Sequence, residues 1–217
     1  MSDFDQVMPS DMEMYIEKYT SSESACLHAL ERETHLNVLN PRMLSGAYQG
    51  KLLALLSLLI QPTKILELGT YTGYSAICLC KGLQEGGKLI TIDRNAELET
   101  MARKYFEKAQ LTACIDFRIG DAMQVLPQLT DIDFDLVFLD ADKENYLAYY
   151  EMILPKMKSG GVLLADNVLW SGKVWDESCQ DKDTQILRAF NARVHADERV
   201  ENIILPIRDG ISLIRKK

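Results

Sequence analysis

Basic charge is scarce in this sequence. Its 24 lysines and arginines stand against 32 aspartates and glutamates, for a formal net charge of -8. Such a chain lacks the general electrostatic footprint of a nucleic-acid binder, and nothing in it draws it to an anionic membrane. Long hydrophobic runs are missing too. The longest, Leu52 to Ile60, falls well short of the roughly 20 residues a bilayer requires. Cysteine supplies no framework: Cys26, Cys78, Cys80, Cys114 and Cys179 are odd in number, and no pair has zinc-type spacing. All five read as reduced thiols, which suits a cytoplasmic location. The opening residues, MSDFDQVMPSDMEM, are acidic and have no apolar core, so they do not read as a secretory signal. There is no repeat, low-complexity tract or linker, and residues 1–217 read as one domain.

What is present is ordinary globular material, 47% hydrophobic and 26% charged, which argues against disorder. Residues 1–60 read as helices. The expected spans are Met12–Tyr19, Ser22–Leu36 with Ser22 as N-cap, and Ser45–Ile60, with Asn40-Pro41 and Pro62 as breakers. From residue 63 the rhythm changes. Short apolar runs at Lys64–Leu68, Lys88–Ile92, Ile115–Ile119, Phe134–Leu139 and Gly161–Ala165 alternate with helical patterns at Tyr74–Leu83, Ala96–Ala109, Ala122–Leu126 and Asn145–Leu154. Strands that turn polar only at their C-terminal ends suit a parallel sheet covered on both faces. A last helix, Asp183–Val194, precedes strands Val200–Leu205 and Gly210–Ile214, whose short connection makes them antiparallel. The fold class is therefore α/β: a doubly wound, mostly parallel seven-stranded sheet with one antiparallel strand at its end, plus N-terminal helices.

The first strand runs into Ile65-Leu66-Glu67-Leu68-Gly69-Thr70-Tyr71-Thr72-Gly73-Tyr74-Ser75. A glycine-punctuated turn between strand and helix is where such sheets bind nucleotides. Gly69 and Gly73 allow close backbone approach to a ligand, and the free N–H groups of the next helix can receive an anionic group. The spacing is E-x-G-x-x-x-G rather than G-x-G-x-x-G, which counts against a dinucleotide. Asp93 ends the second strand, where a carboxylate can accept both ribose hydroxyls, unless it simply caps the next helix. Gly120-Asp121-Ala122 follows the third strand, beside the expected adenine position.

ILELGTYTGYS, TIDRN and GDA together resemble the class I S-adenosylmethionine methyltransferases, with their Rossmann-like fold. The resemblance implies that Glu67 and Gly69 border the methionine part of the cofactor and that Ser75 holds its carboxylate. It assigns the ribose to Asp93 and the adenine to the backbone N–H of Ala122. Thr70, Tyr71, Gly73, Arg94 and Asp121 complete the cofactor-binding set on these strand ends.

Two further strand ends carry acid. The fourth runs into Asp140-Ala141-Asp142-Lys143 and the fifth into Asp166-Asn167. If the strands are neighbours, Asp140, Asp166 and Asn167 form an all-oxygen site suited to Mg²⁺, Mn²⁺ or Ca²⁺ rather than zinc. Taken separately, each segment also suits a turn or a helix cap. DADK, DNVLW and the terminal RDG resemble the metal-dependent catechol and caffeoyl-coenzyme A O-methyltransferases. The upstream segment NPRMLSGAYQG is similar to the entry segment of that group over its cofactor. By that resemblance Asp140, Asp166 and Asn167 bind the metal, Asp140 and Asp142 lie against the cofactor, Met43 and Ser45 touch it, and Lys143 is the catalytic base beside the reacting hydroxyl. Trp170 and Trp175 flank the next loop, where they either wall an aromatic substrate or pack the loop.

The implied activity is O-methylation of a small catechol-like or phenolic substrate, using S-adenosylmethionine and a divalent cation, by a homodimer. Plant members acting on coenzyme A esters carry asparagine where Ser171 falls, and a basic N-terminal segment not found here; both departures favour a free phenol. A transfer-RNA wobble-uridine hydroxyl methyltransferase on the same scaffold is the alternative, and it predicts a basic surface that the net acidity opposes.

Overall fold

The computed structural model describes residues 10–130 and 133–217; most of the acidic opening segment lies outside them. Three helices come first: α1 (Ser10–Tyr19), α2 (Ala25–Asn37) and α3 (Gly46–Ile60). The N-cap of α2 is Ser24 rather than Ser22, because its hydroxyl is the one placed to accept from the Leu27 N–H. Then strand and helix alternate as expected: β1 (Lys64–Leu68), α4 (Tyr74–Leu79), β2 (Lys88–Asp93), α5 (Glu99–Lys108), β3 (Ile115–Ile119), α6 (Ala122–Val125), β4 (Phe134–Leu139), α7 (Tyr146–Ile153) and β5 (Met157–Asp166). The chain closes with α8 (Lys182–His195), β6 (Val200–Leu205) and β7 (Ile211–Lys216). Cys78 and Cys80 sit in and just after α4, and all five thiols are free.

The seven strands form one sheet in the order β3-β2-β1-β4-β5-β7-β6. β1 to β5 are parallel, and β7 runs against both β5 and β6. The reversed strand is thus inserted between β5 and β6 rather than placed at the edge. Burial explains the choice. β7 buries Ile211, Ser212 and Ile214, whereas most of β6 is exposed and suits an edge.

Alternation along the central strands feeds two cores. Leu66, Leu68, Val137, Leu139 and Leu163 pack on one face with α7 and α8. Ile65, Leu136, Phe138 and Leu164 pack on the other with α2, α3 and α4. α3 approaches α4 very closely: a Cβ on Gly82 would lie 2.0 Å from the Ser57 carbonyl oxygen, and one on Gly50 would meet the Tyr74 ring at 2.6 Å. Residues 41–60 are, by length and composition alone, the one segment among the described residues that could cross a membrane, and a third of its most apolar window is buried in the protein.

The chain winds from β1 outward to β3 and then returns to place β4 beside β1. That reversal opens a crevice at the C-terminal ends of β1 and β4, where open α/β sheets take ligands.

Candidate active site

The turn after β1 is fixed by the protein before any ligand enters. Gly69 has φ +99, and a Cβ there would lie 2.0 Å from the Asp140 carbonyl oxygen. Gly73 has φ +91, and its Cβ would strike the Phe106 ring. Chain packing therefore demands both glycines. The Tyr71 N–H donates to Asp93 Oδ2 (2.6 Å) and the Asn95 N–H to Oδ1 (2.8 Å). Asp93 thus ties the turn to the end of β2, and the cap of the following helical turn is Asn95, which accepts from the Glu97 N–H. Asp121 accepts from the Met123 N–H as the N-cap of α6 and leaves Ala122 as its first, buried residue. Arg94 is exposed beside Asp93.

Over this turn lies a pocket lined by Met43, Leu44, Ser45, Gly69, Thr70, Tyr71, Tyr74, Ser75 and Asp140. Seven of the expected cofactor residues meet there. Glu67 lies buried beside it, accepting at Oε2 from Thr91 Oγ1 (2.5 Å), while its Oε1 has no partner. Burial pushes its carboxyl up to about 8, against hydrogen bonds from Ser75 and Thr91, and the charges of Asp140 and Asp93 push the same way. A half-satisfied buried carboxyl is costly by itself and has acceptor capacity to spare for a cationic donor.

β4 and β5 are neighbours, the condition for convergence, so Asp140, just past the end of β4, and Asp166, the last residue of β5, lie on adjacent strand ends. Asp166 is buried and accepts from Gln49 Nε2 (2.5 Å) and the Asn167 N–H (2.7 Å). Burial, and next the charge of Asp140, hold its carboxyl above the usual range. Asn167 follows with φ +59. Lys143, with its side chain only 10% exposed, donates to Asp140 Oδ1 (3.2 Å) and to Tyr146 Oη (2.5 Å). Tyr146 is buried and donates in turn to the Asp166 carbonyl oxygen (2.9 Å). Its ring packs edge-on against Phe190 with centroids 5.4 Å apart, a contact worth about 0.5–1.5 kcal/mol beyond area burial. Asp142 receives Tyr149 Oη and Asn145 Nδ2. Among the described residues no group of three or more histidines, cysteines or acids gathers at metal-binding spacing; the expected set is two carboxylates and an amide.

The model of the O-methyltransferase family matches residues 17–217. The chain belongs to that family. This makes it an S-adenosylmethionine-dependent O-methyltransferase, as its motifs imply. The methyltransferase is 40% identical over 160 residues to a catechol O-methyltransferase of Niastella koreensis, covering 72% of each chain. It is 39% identical to caffeoyl-CoA O-methyltransferase 1 of Zea mays over 80% of this chain and 72% of that one. It is 40% identical to the catechol O-methyltransferase domain-containing protein 1 of Mus musculus over 77% of this chain, spanning 66% of the mouse protein. Its structure superposes with TM-score 0.88 on an O-methyltransferase from Bacillus cereus in complex with SAH, at 31% identity and covering 95% of this chain and 97% of the other.

Trp170 of the methyltransferase is partly buried against the core, with its indole N–H buried and unpartnered, while Trp175 is exposed. Trp170 and Ser171 both have positive φ, so this loop is held in a costly shape that Gly172 alone adopts freely. Three residues at the site were not anticipated. Gln49 was legible only as a lone amide on an apolar helix. Tyr146 resembles any core aromatic. Arg208 was visible within RDG, but nothing local said where its side chain would go.

Proposed function

We propose that this methyltransferase methylates a hydroxyl of a small catechol-like or phenolic substrate with the help of a divalent cation, and that residues 1–217 act as one catalytic unit. The observation that carries the reading is the convergence of Asp140, Asp166 and Lys143 at the neighbouring ends of β4 and β5, next to the pocket of Met43, Ser45 and Gly69.

S-adenosylmethionine supplies a methyl group activated on a sulfonium. The chain's residues suit it. The unpartnered Oε1 of Glu67 is an acceptor for the methionine amino group, and Ser75, early in α4, is placed for its carboxylate. Asp93 retains acceptor capacity for the ribose hydroxyls, while Thr70, Tyr71, Gly73 and Arg94 shape that end of the cleft. Asp121 and Ala122 border the adenine, and Met43, Ser45 and Asp142 close on the cofactor from the other side.

A divalent cation fits Asp140, Asp166 and Asn167, an all-oxygen set in which burial first, and the charge of Asp140 second, push the Asp166 carboxyl up. It would act as a Lewis acid toward the bound phenol. A phenol with pKa of about 10 is a poor nucleophile at neutral pH. Lys143, held between Asp140 and Tyr146, lies at the end of β4 beside that set and would receive the phenol's proton once its amine is neutral. Alignment of acceptor and methyl group provides the rest, on the order of 7–11 kcal/mol in well-oriented systems. Trp170 offers its ring to a flat substrate.

The test is methyl transfer from S-adenosylmethionine to a panel of catechols with Mg²⁺ or Mn²⁺, with EDTA, and with Asp140→Ala. Turnover abolished by both EDTA and the substitution is expected. Cofactor binding without turnover on any catechol would instead direct attention to RNA or a non-aromatic hydroxyl.

We also read the enzyme as a homodimer. Leu55, Leu58 and Leu59 of α3 are exposed in one protomer, and a second copy would cover them. Light scattering should return twice the chain mass, and Leu59→Lys should halve it.

A further inference from the structure

Arg208 lies in the turn between β6 and β7 with φ +51, a conformation that favours glycine or asparagine. Its side chain offsets that cost. Nη1 donates to the carbonyl oxygens of Leu44 (2.9 Å) and Ser45 (2.5 Å) and reaches Gln49 Oε1 at 3.4 Å; Nη2 reaches the Arg42 carbonyl oxygen at 3.4 Å. Three of these four acceptors belong to residues 42–45, one wall of the cofactor pocket. That wall has little else to hold it. The turn Pro41–Met43 buries no residue, Leu39 and Met43 are exposed, and of residues 42–45 only Leu44 and Ser45 are buried. On the other flank, Tyr71 Oη donates to the Asn40 carbonyl oxygen (3.0 Å). Gln49, under the guanidinium, passes the connection to Asp166.

We propose that Arg208 is a positioning residue that straps residues 42–45 across the pocket and so governs how long the cofactor stays bound. The proposal rests on the reading that this pocket holds S-adenosylmethionine. Its physical signature is a separation of stability from binding. Arg208→Gly removes the strap and relieves the backbone together, so the ligand-free protein should melt no lower than wild type. Binding should weaken nonetheless, because guanidinium–carbonyl bonds no longer fix the wall.

The experiment measures S-adenosylhomocysteine binding by calorimetry and its release by stopped flow, for wild type, Arg208→Gly and Arg208→Asn. Asparagine tolerates the same φ, cannot span to residue 44, and controls for any looseness introduced by glycine. The expected result for both variants is about tenfold weaker binding, carried mostly by faster release, on the scale of one lost charge-assisted hydrogen bond. Amides of residues 43–47 should exchange faster while those of β7 do not. Wild-type binding with unchanged release in both variants overturns the strap alone. So does weakened binding that merely tracks a lower melting temperature. Failure of wild type to bind S-adenosylhomocysteine overturns the cofactor reading and the strap with it.

Discussion

The two edges of the sheet treat carboxylates in opposite ways. At the amino-terminal edge, Asp135 accepts from the Thr63 N–H and hydroxyl, the Lys64 N–H and Lys158, and these bonds outweigh burial to lower its pKa. Asp197, just before β6, is bonded by Arg199, Arg193 and Tyr150; chiefly through Arg199 its carboxyl is held far below the usual range. At the carboxyl-terminal edge, Glu67 and Asp166 are buried, Glu67 with one oxygen unpartnered and Asp166 beside the charge of Asp140, and their pKa values rise, in both cases chiefly through burial. One edge has completed its hydrogen bonds at folding. The other keeps Glu67 buried with one oxygen unpartnered, at a cost in stability.

Asp140→Asn probes that difference most strongly. It should cut methyl transfer roughly a hundredfold or more, the scale of several kcal/mol of charge stabilisation, while leaving the ligand-free melting temperature level or higher. Steady-state kinetics and thermal denaturation of one preparation test both halves, and a large fall in stability would erase the contrast between the edges. Asp197→Asn is the mirror case. It should cost about 2 kcal/mol, or roughly 4–8 °C at this length, with kcat unchanged for the folded fraction.

A smaller effect is expected at Glu67. Its folded pKa of about 8 lies above the unfolded value of about 4.3, so the native state holds the extra proton between the two. Its contribution is fully present below about 4.3 and is lost as pH rises through about 8. Glu67→Gln should flatten that loss and raise the ligand-free melting temperature at pH 8 by a few degrees, while weakening S-adenosylhomocysteine binding. The smallest effect belongs to Asp197 in acid. Its depressed pKa gives stability that is present above about 3.9 and lost as pH falls below it. A melting series from pH 5 to pH 2 should show the gap between Asp197→Asn and wild type narrowing, because the loss continues until pH reaches the depressed folded pKa.

Much of this could be read from the chain. The strands from Lys64 to Leu139 begin and end within one residue of their apolar runs, β2 continuing to Asp93, because period and turn chemistry act within a few residues. Asp140 and Asp166 were legible as strand-end acids, and the pairing of β4 with β5 makes them neighbours. Less legible were features in which two local patterns compete. Ser22 and Ser24 are both capping residues, and only the helix start chooses Ser24. Asp93 and Asn95 both suit a cap, and the turn after β1 claims Asp93.

By itself, then, the sequence determined the alternation of strand and helix, the glycine turn at the switch point, and the acids that cap strands four and five. The tertiary structure alone decided the insertion of β7 between β5 and β6, the fastening of Lys143 to Asp166 through Tyr146, and the reach of Arg208 to Leu44 and Gln49. The reason is one of distance along the chain. A turn or cap is settled by neighbours, whereas Arg208 and Leu44 are 164 residues apart and meet only once register, crossing and burial have been fixed for the whole sheet.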